Sequence, residues 1–176
     1  MKVVIADSCS LILLAKCNLL EVLAECFTIF VPDAVFNEVV NKGSLEKFPD
    51  ARVISNLAYE KKINIVKVKG YAQRLPVTMG RGELEAISLA KKTVNSILAT
   101  DDGKAIKACR YLGLNFIISP KIAVELYRLG KIDFIKTKSS IEKMKIIGRY
   151  SSDIIAEAIL ELEGVRNAKT GYSKSS

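Results

Sequence analysis

The sequence predicts an α/β fold: a single three-layer α/β/α domain with a central parallel sheet, followed by a C-terminal helical pair. Short apolar runs rich in β-branched residues alternate along the chain with longer segments of helical periodicity. Residues 3–6 are followed directly by Asp7, and residues 96–99 are followed by Thr100 and then by Asp101 and Asp102. Short apolar runs of this kind are typical of parallel strands that are buried on both faces.

The strand pattern occurs in five short segments. They are residues 3–6, 27–31, 63–68, 96–99 and 115–119. The intervening segments have helical periodicity, and Ser8, Asp33 and Asp50 are suitable helix N-caps. The predicted helices are residues 11–24 (one helix, or two meeting near Asn18), 33–41, 51–62, 83–93, 103–112 and 120–129. Glycine and proline predict loops around residues 43–49 and 70–82.

The last forty residues have a different character. Residues 139–147 and 152–162 are predicted to form two helices joined around Gly148. This pair either packs back on the domain as a hairpin or serves as an interaction surface for a partner. The resulting prediction is an α/β domain over 1–136, a helical extension over 137–163 and a flexible basic tail over 164–176.

Composition excludes several classes of site. There are no histidines, so Ser-His-Asp and Cys-His hydrolysis and the common histidine-containing zinc sites are excluded. The four cysteines have no C-x-x-C spacing and suit reduced thiols in a cytoplasmic protein. No apolar run approaches the roughly 18 residues of a membrane span, and the N-terminus has no secretory signature. The net charge of +8 suits a polyanionic partner such as nucleic acid.

Carboxylates occur where two predicted strands end and on two predicted helices. Asp7 follows the first strand, and Asp101 and Asp102 follow the fourth. Glu38 lies between apolar residues at helical spacing, so it borders the core side of its helix. Glu83 begins a helix directly after a Gly-Arg-Gly sequence.

Glu85, two positions after Glu83, points to a different side of the same helix, so only one of the two can face a common site. We select Glu83 because it is nearer to the helix start. Each acid also has a structural alternative, since Asp7 and Asp102 could cap helices and first-turn glutamates favour the helix dipole.

Together these acids predict a strongly negative pocket at one edge of the sheet. Such a pocket needs protons or cations to be stable. Mg²⁺ and Mn²⁺ are the natural occupants because they prefer carboxylate oxygen. Bound metal can activate water for attack on a phosphodiester, and this chemistry needs no histidine.

Four ordered motifs give the chain a family resemblance. They are Val-Ile-Ala-Asp-Ser-Cys-Ser-Leu-Ile (4–12), Val-Pro-Asp-Ala-Val-Phe-Asn-Glu-Val (31–39), Gly-Arg-Gly-Glu-Leu-Glu-Ala-Ile (80–87) and Leu-Ala-Thr-Asp-Asp-Gly-Lys-Ala (98–105). Over about residues 3–135 the chain resembles the PIN-domain family of metal-dependent ribonucleases, which includes the toxins of VapBC toxin–antitoxin pairs. The Gly-Glu form of the third motif and the C-terminal helices resemble one branch of that family.

The resemblance implies roles for individual residues. It implies an endoribonuclease using Mg²⁺ or Mn²⁺, whose ligands are Asp7, Glu38, Glu83 and either Asp101 or Asp102. Ser8 and Thr100 would support this set. The resemblance also implies a homodimer and an antitoxin protein that occupies the acidic groove.

Basic residues in or near the motifs are candidate RNA contacts. They are Arg74, Arg81, Lys104, Lys107 and Arg110. Tyr71 and Tyr111 could stack on unpaired bases. An alternative interpretation keeps the fold and pocket but makes the protein a catalytically weak or inactive module that binds RNA or a partner. A phosphate-accepting receiver domain fits less well, because its acid pair belongs at the first strand.

Overall fold

The computed structural model of the chain describes residues 3–70 and 78–171. The chain divides into two compact units, Met1–Ile118 and Ser119–Ser176. This division falls after residue 118, whereas the sequence-based boundary lies after residue 136. That boundary between a nuclease domain and an extension stays a prediction.

Within the described residues of the first unit, five strands form one parallel sheet. They are β1 (Val3–Ala6), β2 (Thr28–Pro32), β3 (Ile63–Val66), β4 (Ser96–Ala99) and β5 (Phe116–Ile117). The order β3-β2-β1-β4-β5 makes β1 the central strand. All strands run in the same direction, so their carboxyl ends share one side of the sheet, the carboxyl edge. This arrangement confirms the predicted α/β class.

Helices flank the sheet. They are α1 (Ser8–Lys16), α2 (Leu20–Cys26), α3 (Asp33–Val39), α4 (Lys42–Lys47), α5 (Pro49–Tyr59), α6 (Arg81–Lys92) and α7 (Gly103–Leu112). Asn18 adopts a positive φ of 54° between α1 and α2, which confirms the two-helix alternative. Gly113 has a φ of 65° and ends α7 in the left-handed conformation that glycine adopts without strain.

Several local predictions are wrong. The predicted loop around residues 43–49 contains α4, which Asn41 starts through reciprocal side-chain hydrogen bonds with Ser44. Asp7, not Ser8, is the N-cap of α1, because the Asp7 carboxylate accepts from the Ser10 amide. The predicted caps Asp33 and Asp50 lie inside the first turns of α3 and α5, where negative charge still favours the helix dipole.

The core between the sheet and helices α6 and α7 is made of apolar residues that lie at helical and strand spacing. Ile5 and Leu98 contribute from neighbouring central strands, and Ile87 and Ala108 contribute from the two helices. All four are fully buried. This packing places the starts of α6 and α7 beside the carboxyl edge.

The second unit contains α8 (Ser119–Arg128), α9 (Phe134–Ile147) and α10 (Ser152–Gly171). Asp133 caps α9 and starts it five residues earlier than the predicted position 139. Helix α10 continues through Gly164 to Gly171, whereas the sequence predicted a loose tail from residue 164. Within the unit, Lys121 forms ion pairs with Glu157 and Glu161 of α10. None of the helices in the described ranges combines the length and apolar character needed to cross a bilayer.

Gly82 should be required for the packing of α6 against α3. A Cβ atom at this position would lie 2.9 Å from Glu38 Oε2 and 3.2 Å from Val35 Cγ2. The Glu38 tip can move, but Val35 is fully buried. We expect Gly82→Ala to lower the free energy of unfolding by about 1–3 kcal/mol through overpacking. Urea denaturation measures this change.

Gly103→Ala is the matched control, since Gly103 also lies in the first turn of a helix. A Cβ atom there meets nothing within 4 Å. This substitution should be neutral or stabilising by up to about 1 kcal/mol. Equal stability changes for the two variants would contradict the role given to Gly82.

Candidate active site at the carboxyl edge

The register between β1 and β4 positions the first acid. Ala6 pairs with Ala99, so Asp7 and Thr100 leave the two strands side by side. The Asp7 side chain is almost completely buried, with 1% exposure. Asp7 Oδ1 accepts a 2.8 Å hydrogen bond from the Ser10 amide, and Oδ2 accepts from the Thr100 hydroxyl. The position of this carboxylate is therefore determined by both strands and by the start of α1.

Burial changes the protonation of Asp7. Desolvation is the largest cause, and it raises the pKa of Asp7 from 3.8 to about 6. Hydrogen bonds from Ser10 and Thr100 act in the opposite direction, while the negative charge of Asp101 raises the pKa further. The fold thus holds a carboxylate whose charge is only partly compensated by hydrogen bonds.

Ser10 is a site residue that the sequence reasoning missed. Its buried hydroxyl donates to the Ala99 carbonyl at 2.7 Å, and so ties α1 to the end of β4. The Asp-x-x-Ser spacing could have indicated Ser10, because a capping acid accepts from the backbone amide three residues later. Ser8, which the sequence favoured, is half-buried in the first position of α1.

The two acids that follow β4 have different surroundings. Asp102 is the N-cap of α7, and its Oδ1 accepts from the amides of Lys104 and Ala105 at 2.8 and 2.9 Å. The Asp102 amide donates to Thr100 Oγ1 at 3.2 Å, which connects this turn to Asp7 through one hydroxyl. The negative charge of Asp101 raises the pKa of Asp7.

Glu83 and Glu38 lie on two helices that pack together. Glu83 Oε2 accepts a 2.6 Å hydrogen bond from the Gly80 amide, so Glu83 stabilises the start of its own helix. Glu38 is exposed on α3, with its carboxylate against Gly82. The close approach at Gly82 brings Glu38 near the residue that precedes Glu83.

Cys9 shows that acids from separate parts of the chain share one environment. Its side chain is accessible at the surface, but protein atoms crowd the sulfur. This partial desolvation is the largest cause that raises the pKa of Cys9 to about 12, and the remaining causes are negative charges. Those charges belong to Asp7, Asp102, Asp101 and Glu83. Four of the five predicted acids therefore act electrostatically on the Cys9 thiol in the first turn of α1.

Glu85, which the sequence reasoning set aside in favour of Glu83, is fully buried. Its Oε1 accepts from Arg81 Nε at 2.9 Å, and its Oε2 accepts from the Ala34 amide at 3.3 Å. It therefore links the first turn of α6 to the first turn of α3. The apolar residues Ala86 and Leu89, next to Glu85 and one turn after it, are buried. Their apolar character in the sequence could have indicated that Glu85 lies on the inner side of the helix.

The candidate RNA contacts lie mainly on α7. Lys104, Lys107 and Arg110 are exposed there, and Arg81 is exposed at the start of α6 with its guanidinium paired to Glu85. Arg74 and Tyr71 lie outside the described residues.

Comparison with known families identifies the fold. A family model described as a PIN domain matches residues 3–164, most of the chain. The chain belongs to the PIN-domain family. PIN domains are generally nucleases that act on nucleic acid, and they typically use divalent metal ions. Among curated proteins, no match to this PIN domain is found.

The donor groups of this PIN domain suit a hydrated ion better than a closed cage. Among residues 3–70 and 78–171, no group of three or more acids or cysteines lies close enough to hold a metal ion. The available donors are carboxylate oxygens, which Mg²⁺ and Mn²⁺ prefer. Mg²⁺ commonly keeps several waters and uses one or two carboxylates together with substrate phosphates. The donor chemistry therefore fits a divalent ion that is completed by water and substrate.

Asp7→Asn should change stability in a pH-dependent way. Between pH 4 and 6 the folded state binds more protons at Asp7 than the unfolded state does, so wild-type stability falls as pH rises through this window. The shift from 3.8 to about 6 corresponds to about 3 kcal/mol. Without metal, we expect the variant to be more stable than wild type by up to that amount above pH 6.

The measurement is urea denaturation of both proteins across pH 3.5–8 in EDTA. Below about pH 4 the two side chains are both neutral, so the difference should disappear there. A stability difference that does not change with pH would contradict a buried, partly protonated Asp7.

The Arg81–Glu85 pair should show asymmetric costs. Arg81→Gln leaves a buried carboxylate without its cation, and we expect a loss of about 2 kcal/mol after allowing for the exposure of Arg81. Glu85→Gln leaves the Arg81 guanidinium in contact with solvent. The side-chain oxygen of the new glutamine can still accept from the Ala34 backbone amide, so this variant should lose less than about 1 kcal/mol of unfolding free energy. Chemical denaturation measures both losses. The exposed pair Lys62–Glu60 serves as the control pair. Equal losses of unfolding free energy for Arg81→Gln and Glu85→Gln would contradict this description.

Proposed function

We propose that this PIN domain is a divalent-metal-dependent endoribonuclease that cleaves RNA phosphodiester bonds with Mg²⁺ or Mn²⁺. The observation that carries the proposal is that Asp7 and the Asp101–Asp102 pair follow neighbouring strands and are joined through the Thr100 hydroxyl. A cluster of like charges is unfavourable unless cations or protons compensate it. A divalent ion supplies that compensation and attracts the phosphate of a substrate.

Asp7 and Asp101 are the proposed principal ligands. They follow neighbouring strands, and the charge of Asp101 acts directly on Asp7. Asp102 uses Oδ1 to cap α7, so it contributes to the site chiefly through its charge and its remaining oxygen. Glu38 and Glu83 complete the acidic side from α3 and α6.

The residues of this chain orient the reacting groups. Ser10 and Thr100 hold the Asp7 carboxylate in one position, and Thr100 connects it to the turn that carries Asp101 and Asp102. A divalent ion held by these acids would supply a more acidic water and would compensate charge on the phosphate. Acidic groups that are not bound to the ion can accept a proton from the attacking water.

A second candidate is a PIN domain that binds RNA or a partner with little or no cleavage. It is favoured by the absence, within the described ranges, of three acids in coordinating distance. This candidate predicts metal-independent binding of RNA and no products. It is separated from the nuclease by the cleavage measurement below.

The toxin role is proposed from the motif resemblance. It requires that the protein inhibit growth when produced alone and that a small partner protein suppress this effect. A homodimer and an antitoxin over the acidic groove belong to the same proposal. Co-production with the product of an adjacent small reading frame tests this role independently of cleavage.

Cleavage should require both metal and Asp7. Full-length protein, mixed-sequence single-stranded RNA and a titration of Mn²⁺ or Mg²⁺ form the assay. We expect Asp7→Asn and Asp101→Asn to lower the cleavage rate at least about 100-fold, because even residues that only orient metal ligands contribute about 10- to 100-fold. Asp102→Asn keeps a good N-cap and should lose less.

The control is Asp153→Asn, which removes an exposed acid from the first turn of α10 in the second unit. Equal degradation by wild type and Asp7→Asn would identify a contaminating nuclease and refute the proposal. Binding of RNA without products at any metal concentration would favour the second candidate.

A further inference from the structure

Helix α7 has an exposed face that is entirely basic and aromatic. Lys104, Lys107 and Tyr111 lie at i, i+3 and i+7, so they share one side of the helix. Arg110 lies beside Tyr111, and all four residues are exposed, with 69% of Tyr111 accessible. The opposite side packs in the core through Ala105, Ala108 and Cys109. No acidic residue occurs between Gly103 and Leu112.

The basic face of α7 begins next to the acids at the carboxyl edge of the sheet. Asp102 caps α7, so the basic face begins two residues after the acids. A Cβ atom at Gly103 would meet nothing within 4 Å, which leaves the first turn open to a ligand. From Lys104 to Tyr111 the face extends about 10 Å along the helix axis.

The acidic edge alone would repel a phosphodiester strand. Basic side chains next to it attract the backbone of that strand and place it without reading its sequence. An exposed tyrosine at the far end provides a surface on which an unpaired base can stack. The Arg110 guanidinium lies 5.7 Å from the centre of the Phe116 ring, which restricts its position beside Tyr111.

We propose that the exposed face of α7, formed by Lys104, Lys107, Arg110 and Tyr111, is a track that binds a single RNA strand leading away from the acidic edge. This inference rests on the proposed ribonuclease function and names the residues of this chain that hold the strand. Lys104 and Lys107 contact successive phosphates near the site of cleavage. Tyr111 stacks on a base about 10 Å further along the strand.

Binding of fluorescent single-stranded RNA by the full chain in EDTA tests the charged part of the track. The double variant Lys104→Gln/Lys107→Gln should weaken binding and reduce the slope of log affinity against log salt by about 1.4, or about 0.7 for each phosphate contact. The double variant Lys136→Gln/Lys145→Gln removes the same charge from exposed positions of α9. It should leave the salt slope unchanged. Equal weakening by both double variants would show a nonspecific charge effect and overturn the track.

The aromatic part is tested by Tyr111→Ala, with Tyr111→Phe and Tyr59→Ala as controls. We expect Tyr111→Ala to weaken binding at least about fivefold, while Tyr111→Phe retains the stacking ring and binds like wild type. Tyr59 is 90% exposed on α5 and its replacement should have no effect. A duplex of the same sequence should bind more weakly. If the duplex binds as tightly as the single strand, the assignment to unpaired RNA is wrong.

Cleavage by the same variants separates this inference from the function on which it rests. If wild type cleaves with metal and the α7 variants bind and cleave equally well, the track fails and the nuclease stands. If the α7 variants lose binding while wild type yields no products, the track stands and the nuclease fails.

Discussion

Parallel pairing of β1 with β4 determines the candidate site, because it aligns Ala6 with Ala99 and places Asp7 beside Thr100. A shift of one residue would turn each side chain to the other face of the sheet. The register is maintained by apolar residues on both strands, including Ile5 and Leu98, which are fully buried. The same packing that stabilises the centre of the sheet therefore desolvates Asp7 and holds its carboxylate against the Thr100 hydroxyl.

Charge is distributed unevenly around the paired ends of β1 and β4. The chain carries a net charge of +8, yet the charges that act on Cys9 beside the carboxyl edge are all negative. Burial and neighbouring negative charge raise the pKa of Asp7, so the charged form of this carboxylate is disfavoured in the folded protein. Helix α7 begins at this edge and presents positive side chains immediately beyond it. The proposed cation site and the proposed RNA track therefore lie on adjacent parts of one turn and one helix.

Several features follow from the sequence with elementary rules. The alternation of apolar runs and helical segments predicted all five strands and the parallel class, and the ends of β1 and β4 marked the acids. Local hydrogen bonding was less predictable. Around Gly43 the composition suggests a loop, but reciprocal capping between Asn41 and Ser44 supports α4. Helix α10 likewise continues past Gly164 and Asn167, although both residues have weak helix propensity.

The sequence by itself determined the fold class, the position of β1 and β4, and the acids that follow them, because these depend on periodicity and on residue type. Tertiary structure decided which glutamate is buried. Glu83 and Glu85 are both plausible from spacing, and only the approach of α3 to α6 gives Glu85 the Ala34 amide as a partner. It also decided which of the two aspartates after β4 caps a helix, since Asp102 Oδ1 accepts from the Lys104 and Ala105 amides at the start of α7. Such distinctions depend on neighbours far away in the chain, which local sequence pattern does not specify.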